Sequence, residues 1–506
     1  MTFMDVLNNP ALPFLIDIKP FFGYHITVLL TIDIGTSVYK TALWDFEGNR
    51  KAFASVPLPI SLSHGLCHEA DSSLWLRAFA DCCQNLGAAF PLAAVEAVVI
   101  SGNGPSLTPV LGPPEVNAKG LHLPAAPARL WLDRRAADAA QQVSAFVGGF
   151  VDASFFLPKA LDIKTNEPQL YEKTQYFLGC PEFLAFALTG EARIVFPSDG
   201  FDRWFWNDSV LAHFGLDKEK FPRFIRPGET FGALAPQAAA RFGLKPGIPV
   251  VAGGPDFFAA ILGAGVVNPG QVCDRAGTSE GINACTETCI TDKRLMCYGH
   301  PVKPFWNLSG IISTTGKAVE WARDFLGLTA YDAFTALAQN AQAGSGGLVF
   351  LPYLAGERSP VWNPSARGVL RGLTLSTGQP EFARSVLEGI GFAIRDVISV
   401  MEESGAIIDA LHVAGAASAS GILNQIKADI TGKPVHALRQ KEAELLGLAI
   451  IGACALRKYT SFTESARALV HIEKTWLPNE NNAALYDDLF GEYRVLQNAI
   501  PNLSDW

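Results

Sequence analysis

Five short apolar runs, each breaking off into a glycine turn, constrain the fold of this chain more than any other feature. They are "ITVLLTIDIGTS" (26–37), "VEAVVISGNGPS" (95–106), "IPVVAGGPD" (248–256), "CDRAGTSEG" (273–281) and "LHVAGAAS" (411–418). Longer helical patterns alternate with them, which predicts α/β architecture. In open α/β sheets ligands collect where strands end and tight turns begin. Five such turns spread over both halves therefore imply one cleft lined from two sides. A chain of 506 residues is too long for one core, so two domains are expected. A strand–glycine-turn pattern near Asp33 and again near Asp256 is consistent with two related halves joined near 253.

Two helices read clearly. In "EFARSVLEGIGFAIRDVISVMEE" (381–403) apolar residues fall at three- and four-residue steps, whereas "EAELLGLAIIGACAL" (442–456) is apolar on nearly all sides and reads as buried. "GIISTTGKAVE" (310–320) imitates a P-loop, but its spacing is five rather than four and Ala318 replaces the required Ser or Thr. It reads as a turn followed by a helix containing Trp321.

The net charge of -9 argues against a general nucleic-acid binder, which carries a basic face. It leaves room for an anionic ligand held by backbone amides and a metal. Nine cysteines read as reduced thiols, because Cys285, Cys289 and Cys297 lack the partners of a tetrahedral zinc set. Residues 1–25 make a poor signal peptide, with no basic n-region, and read as an appended extension. No apolar run is long enough to span a bilayer, so no membrane partner and a cytoplasmic location are expected. A homodimer is left open.

Asp33 lies inside an apolar run, where a lone carboxylate costs several kcal/mol, roughly, unless something pairs with it. Gly35, Thr36 and Ser37 follow at once and offer backbone N–H groups and two hydroxyls to an anion. A carboxylate beside a phosphate site is explained by a Mg²⁺ ion between them; the plainer alternative is an acid capping a turn. Asp256 follows Gly253, Gly254 and Pro255 and precedes an apolar helix, so it is either an N-cap or an acid aimed into the cleft. Gly277, Thr278 and Ser279 then form a second turn suited to phosphate. An acid for a proton, an acid for a metal and two phosphate turns are the parts of phosphoryl transfer.

With these pieces assembled, the chain resembles the FGGY carbohydrate kinases, relatives of glycerol kinase and xylulokinase, from about Ile26 to about residue 490. "DIGTSVYKTALWDFEGN" is similar to their first phosphate motif, "EADSSLW" (69–75) to an E-x-D-x-x-x-W stretch, and "LWLDRRA" (130–136) to a W-x-D-x-R segment. "GGPDFFAAILGAG" resembles the catalytic-aspartate segment and "AGTSEG" the second phosphate turn. The strongest match is 347–389, which satisfies the family signature from Gly368 through Gly372 and Glu381 to Glu388, while 413–435 resembles the adenosine motif.

The resemblance implies two actin-like ATPase (ribonuclease H-like) domains around an interdomain cleft, with ATP and Mg²⁺ as cofactors and a small sugar or polyol as partner. It sets an N-terminal domain at 26–252 for sugar and phosphate, a nucleotide-binding domain at 253–490 and a tail at 491–506. Asp256 would be the general base and Asp33 would hold Mg²⁺, directly or through water. Gly35, Thr36 and Ser37 with Gly277, Thr278 and Ser279 would cradle the β- and γ-phosphates. Gly415 and Ala416 would admit the adenosine, with Asn424 and Gln425 as neighbours.

Where xylulokinase-like members carry a G-Q-M-H segment, this chain has Gly102-Asn103-Gly104-Pro105. Asn103, Gly104 and Pro105 would line the sugar site with fewer polar contacts and more space, which favours a bulkier or differently decorated substrate. Asp133 and Arg135 read as a structural ion pair, and Trp204 and Trp206 as core. Two other classes compete: an actin- or chaperone-like ATPase, which would lack the 347–389 block, and a silent sugar-binding regulator, against which the retained Asp33, Asp256 and both Gly-Thr-Ser turns speak.

Overall fold

The computed structural model describes residues 27–117 and 120–499. The extension expected at 1–25 lies outside them, as do residues 500–506. A mixed sheet forms the heart of each half. The first has six strands, in the order Thr230–Ala233, Pro249–Pro255, Val95–Gly102, Val28–Ile34, Val38–Trp44 and Arg50–Pro57. The last three form an antiparallel meander. Val95–Gly102 and Pro249–Pro255 extend it in parallel.

The second sheet has seven strands: Met296–Gly299, Trp306–Ile312, Glu280–Thr286, Gly270–Ala276, Ile408–Ala414, Val435–Leu438 and Ile472–Trp476. Gly270–Ala276, Glu280–Thr286 and Trp306–Ile312 repeat the meander. Ile408–Ala414 and Val435–Leu438 repeat the parallel extension, and each sheet closes that edge with an antiparallel strand.

The halves are thus related, but in a different alignment from the one the sequence offers. The counterpart of Val28–Ile34 is Gly270–Ala276, whereas Pro249–Pro255 is an inner strand of the first sheet. Both candidates combine an apolar run, glycines and an acid, and that local pattern does not specify which sheet a run joins. The junction drawn at 252/253 accordingly falls inside a strand of the first half, and the second sheet begins at Gly270. Residues 491–498 also need correcting, because they belong to the helix Ala483–Asn498 rather than to a tail. Tyr493 is buried there, and its hydroxyl lies 2.9 Å from that of Tyr353.

Val28–Ile34 is buried along its whole length, which is why it reads as a continuous apolar run rather than an alternating one. Successive side chains still go to opposite faces. Val28, Leu30, Ile32 and Ile34 join the core with Trp75, Phe79 and Leu86 of the helix Ser73–Ala89. Leu29 turns to the other core, with Val99, Val251 and the helix Ala443–Ala455. That late helix therefore covers the first sheet, and being enclosed it is apolar all round. It crosses the helix Asp256–Gly263 main chain to main chain. A Cβ at Gly263 would lie 1.8 Å from the Ala443 carbonyl oxygen, and one at Gly447 would lie 1.8 Å from that of Ala259.

The topology brings the turns together. Ile34 and Pro255 both pair with Gly102, so three glycine turns leave one edge of the first sheet. Arg275 pairs with Ala414, so the turns at 277 and 415 leave one edge of the second.

Candidate active site

Asp33 occupies the penultimate position of its strand, opposite Lys40 and Ser101. Gly35 comes next because the chain folds back at once: its N–H donates to the Val38 carbonyl at 3.1 Å, and a Cβ there would lie 2.5 Å from that oxygen. Thr36 accepts the Trp131 indole N–H at 2.9 Å, and Ser37 is exposed beside it. The Asp33 carboxyl is buried, and its Oδ1 has no hydrogen-bond partner. Burial, then the Glu444 and Asp256 carboxylates, push it up to about 8, with Lys40 and Arg275 opposing.

Asp256 reaches the same neighbourhood from the adjoining turn. Between Ala252 and Gly254 the strand pairing slips by a residue, a bulge of the kind that redirects the chain beyond it. Gly254 sits at φ +81°, and its carbonyl is held by the Ser101 hydroxyl at 2.8 Å. Asp256 then opens the helix Asp256–Gly263, its Oδ1 accepting the Phe257 N–H at 2.7 Å and its Oδ2 facing Arg275 Nη1 at 3.0 Å. Arg275 Nη1 is also 3.7 Å from Glu444, and Lys40 pairs with Glu442 at 2.5 Å. Asp33 and Asp256 belong to the first half, Arg275, Glu442 and Glu444 to the second. Four carboxyl groups thus meet two cations across the cleft.

The second Gly-Thr-Ser turn is anchored from behind. Gly277 donates to the Ser279 carbonyl at 3.1 Å. The N–H groups of Gly316 and Lys317 donate to the carbonyls of Gly277 and Thr278 at 3.1 and 3.3 Å. These donors open the helix Gly316–Phe325, so "STTGKAVE" buttresses the second Gly-Thr-Ser turn without being a P-loop itself. Gly277 and Thr278 are exposed and Ser279 is half-buried. Gly415, at φ +84°, lies against the strand end, where a Cβ would be 2.2 Å from the Ala276 carbonyl oxygen. Ala416 opens the short 3-10 turn Ala416–Ala419. Asn424 is fully buried and donates to the Ser418 carbonyl at 2.8 Å, so it supports this turn from below. Gln425 points away, to Asp429 and the Leu477 carbonyl.

At the third turn, Asn103 is buried and donates through Nδ2 to the Ile34 carbonyl at 2.9 Å, tying this turn to that of Asp33. Gly104 is exposed with nothing within 4 Å of a built Cβ, and the Pro105 carbonyl accepts from buried Lys159 at 2.8 Å. Asp133 and Arg135 form the expected ion pair, Nη2 to Oδ2 at 2.7 Å, which Glu69 of "EADSSLW" completes at 2.7 Å. Trp206 is buried as expected, while half-buried Trp204 stacks on Phe155 at 5.2 Å.

Sequence reasoning missed Arg275 and Glu444. Arg275 stands two residues before Gly277, at the end of one of the five strand–turn runs, and its charge inside a strand was the available signal. It also missed a fully buried cluster in which Lys427 donates to Asp274, at 2.6 Å, and to Glu280. These carboxyls flank the turn 277–279, while Lys427 rides on the helix Gly421–Thr431 that succeeds the Gly415 turn.

The sequence pattern described as the FGGY family of carbohydrate kinases matches twice, its N-terminal domain over residues 28–263 and its C-terminal domain over residues 275–456. The xylulose kinase of Escherichia coli (strain K12) is 30% identical over 485 residues, covering 92% of this chain and 97% of that protein. The gluconokinase of Bacillus subtilis (strain 168) is 25% identical over 514 residues, covering 94% and 98%. The crystal structure of a gluconate kinase from Lactobacillus acidophilus superposes with a TM-score of 0.81 at 25% identity, over 94% of this chain and 98% of that one. A glycerol kinase from Plasmodium falciparum, solved with ADP, reaches 0.79 at 18% identity over 94% and 99%, a likeness of fold alone. The expected pair of actin-like ATPase domains is therefore the observed architecture. With both family patterns matched and a relative aligned along nearly its whole length, the chain belongs to the FGGY family of carbohydrate kinases, among its xylulose kinase-like members.

Proposed function

We propose that this chain moves the γ-phosphoryl group of ATP to a hydroxyl of a small sugar or polyol, of the pentulose or hexulose class, with Asp256 as general base. The observation that carries this reading is the convergence of Asp33 and Asp256 from adjoining turns on the second half's Arg275 and Glu444. Asp256 takes the proton of the attacking hydroxyl, its carboxylate steadied at Oδ1 by the Phe257 N–H. Gly35, Thr36 and Ser37 receive phosphate from one side, and Gly277, Thr278 and Ser279 from the other. Gly415 and Ala416 admit the adenosine, with Asn424 beneath them. Asn103, Gly104 and Pro105 border the acceptor, and the open space at Gly104 supports a substrate with extra bulk there.

A divalent cation fits these residues. Asp33 Oδ1 is buried without a partner, and carboxyl groups outnumber cations around it. Asp33 would be the protein's ligand, directly or through water, in keeping with the few protein ligands that Mg²⁺ takes beside phosphates. When bound, Mg²⁺ neutralises charge on the phosphates during transfer. Closure of the two halves excludes water from the transfer.

A coupled ADP-release screen over pentuloses, hexuloses, sugar acids and polyols tests this. A positioned base is worth ~10² to 10⁴-fold, so Asp256→Asn is expected to lose that much sugar-dependent turnover and keep nucleotide affinity. Near-normal turnover would remove Asp256 from the chemistry, and ADP release indifferent to sugar would favour an ATPase. A response to D-xylulose alone would contradict the inference from Gly104.

A further inference from the structure

We infer that Arg275 is a catalytic residue of this enzyme, joining the base Asp256 to the transferring phosphoryl group through one guanidinium. Both carboxylate contacts of this side chain, Asp256 Oδ2 at 3.0 Å and Glu444 Oε1 at 3.7 Å, are made by Nη1. A guanidinium is a rigid fork with five N–H donors, so Nε and Nη2 remain for a second acceptor.

Three observations point to that acceptor. Arg275 is the penultimate residue of the strand Gly270–Ala276, two positions ahead of the exposed turn that begins at Gly277. Successive strand residues face opposite ways, and Asp274 turns inward to Lys427, which sends Arg275 to the cleft. The side chains of Arg275 and Asp256 are 31% and 34% exposed, so a ligand reaches both. Lys40, the neighbouring cation, is committed to Glu442 at 2.5 Å. Lys40 is a compact point charge, whereas Arg275 presents a planar fork that matches the paired oxygens of a phosphoryl group.

This rests on Asp256 as the base. In the transfer, the sugar oxygen forms the new bond to the γ-phosphorus, the bond from that phosphorus to the bridging oxygen breaks, and ADP departs. The hydroxyl proton passes to Asp256. Arg275 makes and breaks no covalent bond; it fixes base and phosphoryl group at one distance and balances the charge that builds between them.

The test compares nucleotides as well as rates. In calorimetric titrations with Mg²⁺, Arg275→Met is expected to weaken a non-hydrolysable ATP analogue by ~10-fold or more, while ADP affinity changes less than about two-fold. Sugar-dependent kcat should fall by ~10²-fold. Arg275→Lys, a single point charge, should recover part of the triphosphate preference and little of kcat, because it cannot hold base and phosphate together. Equal losses for both nucleotides, or an unchanged preference for the triphosphate, would overturn the inference. Should Arg275→Met fail to fold, Arg275→Gln, which also removes the charge, supplies the same comparison. Because that preference is read without turnover, it stands apart from the Asp256→Asn result: an active Asp256→Asn enzyme defeats the base, and a missing preference defeats Arg275.

Discussion

Glu182 sits buried in the first turn of the helix Cys180–Thr189, where its Oε1 accepts the Val195 N–H at 3.1 Å and its Oε2 has no partner. Burial pushes this carboxyl up to about 7, against the smaller pull of that hydrogen bond. Its neutral form suits the fold, so the stability it contributes is complete below about pH 4.5, the ordinary glutamate range, and is lost as pH rises through about 7. The loss is on the order of 3 kcal/mol. Glu182→Gln, neutral throughout, should melt close to the parent protein at pH 5 and later than it at pH 8. An equal difference at both values would show that the carboxyl is not held protonated. Neither Glu182 nor Arg275 was legible in the sequence as Asp33 and Asp256 were. An acid between an apolar strand and a glycine turn has few explanations, whereas a charged residue within a helix or strand acquires its meaning from whatever the fold packs against it.

Strands and helices themselves were readable, since the buried runs and the stripe of the helix Gln379–Glu403 follow from local burial. Which strand pairs with which was not, because partners such as Val28–Ile34 and Val95–Gly102 lie far apart along the chain. The same limit hid the cluster that ties three elements together. A lone lysine on an amphipathic helix reads as solvated, yet Lys427 is enclosed with Asp274 and Glu280. Burial and Glu280 raise the Asp274 carboxyl, while Lys427 holds Glu280 below the usual range. Lys427→Met would leave two enclosed carboxyls without their cation, at a cost of about 3–5 kcal/mol. Adding Asp274→Asn and Glu280→Gln should recover most of that in urea unfolding. If the triple variant is no more stable than the single one, packing rather than charge holds these elements together.

Over the whole molecule, the cleft turns of the two halves depend on two helices that touch backbone to backbone at Gly263 and Gly447. A Cβ at 447 would meet the Ala259 carbonyl, which cannot step aside as a side chain does. Gly447→Val should therefore cost at least ~2 kcal/mol in denaturant unfolding and lower kcat with it, since Asp256 opens one of these helices and Glu444 lies in the other. Parental stability in this variant would mean that the helices part freely. The crossing also bears on how the chain is made. Leu445, Leu448 and Ile451 cover Leu29, Val99 and Val251, residues that leave the ribosome long before their cover is synthesised. Nascent chains ordinarily complete an N-terminal domain first; here a sheet face covered in part by Phe258 and Leu262 gains the rest of its cover only when the helix Ala443–Ala455 is made, so a chain halted ahead of Ala443 is expected to be more prone to aggregation than the full chain.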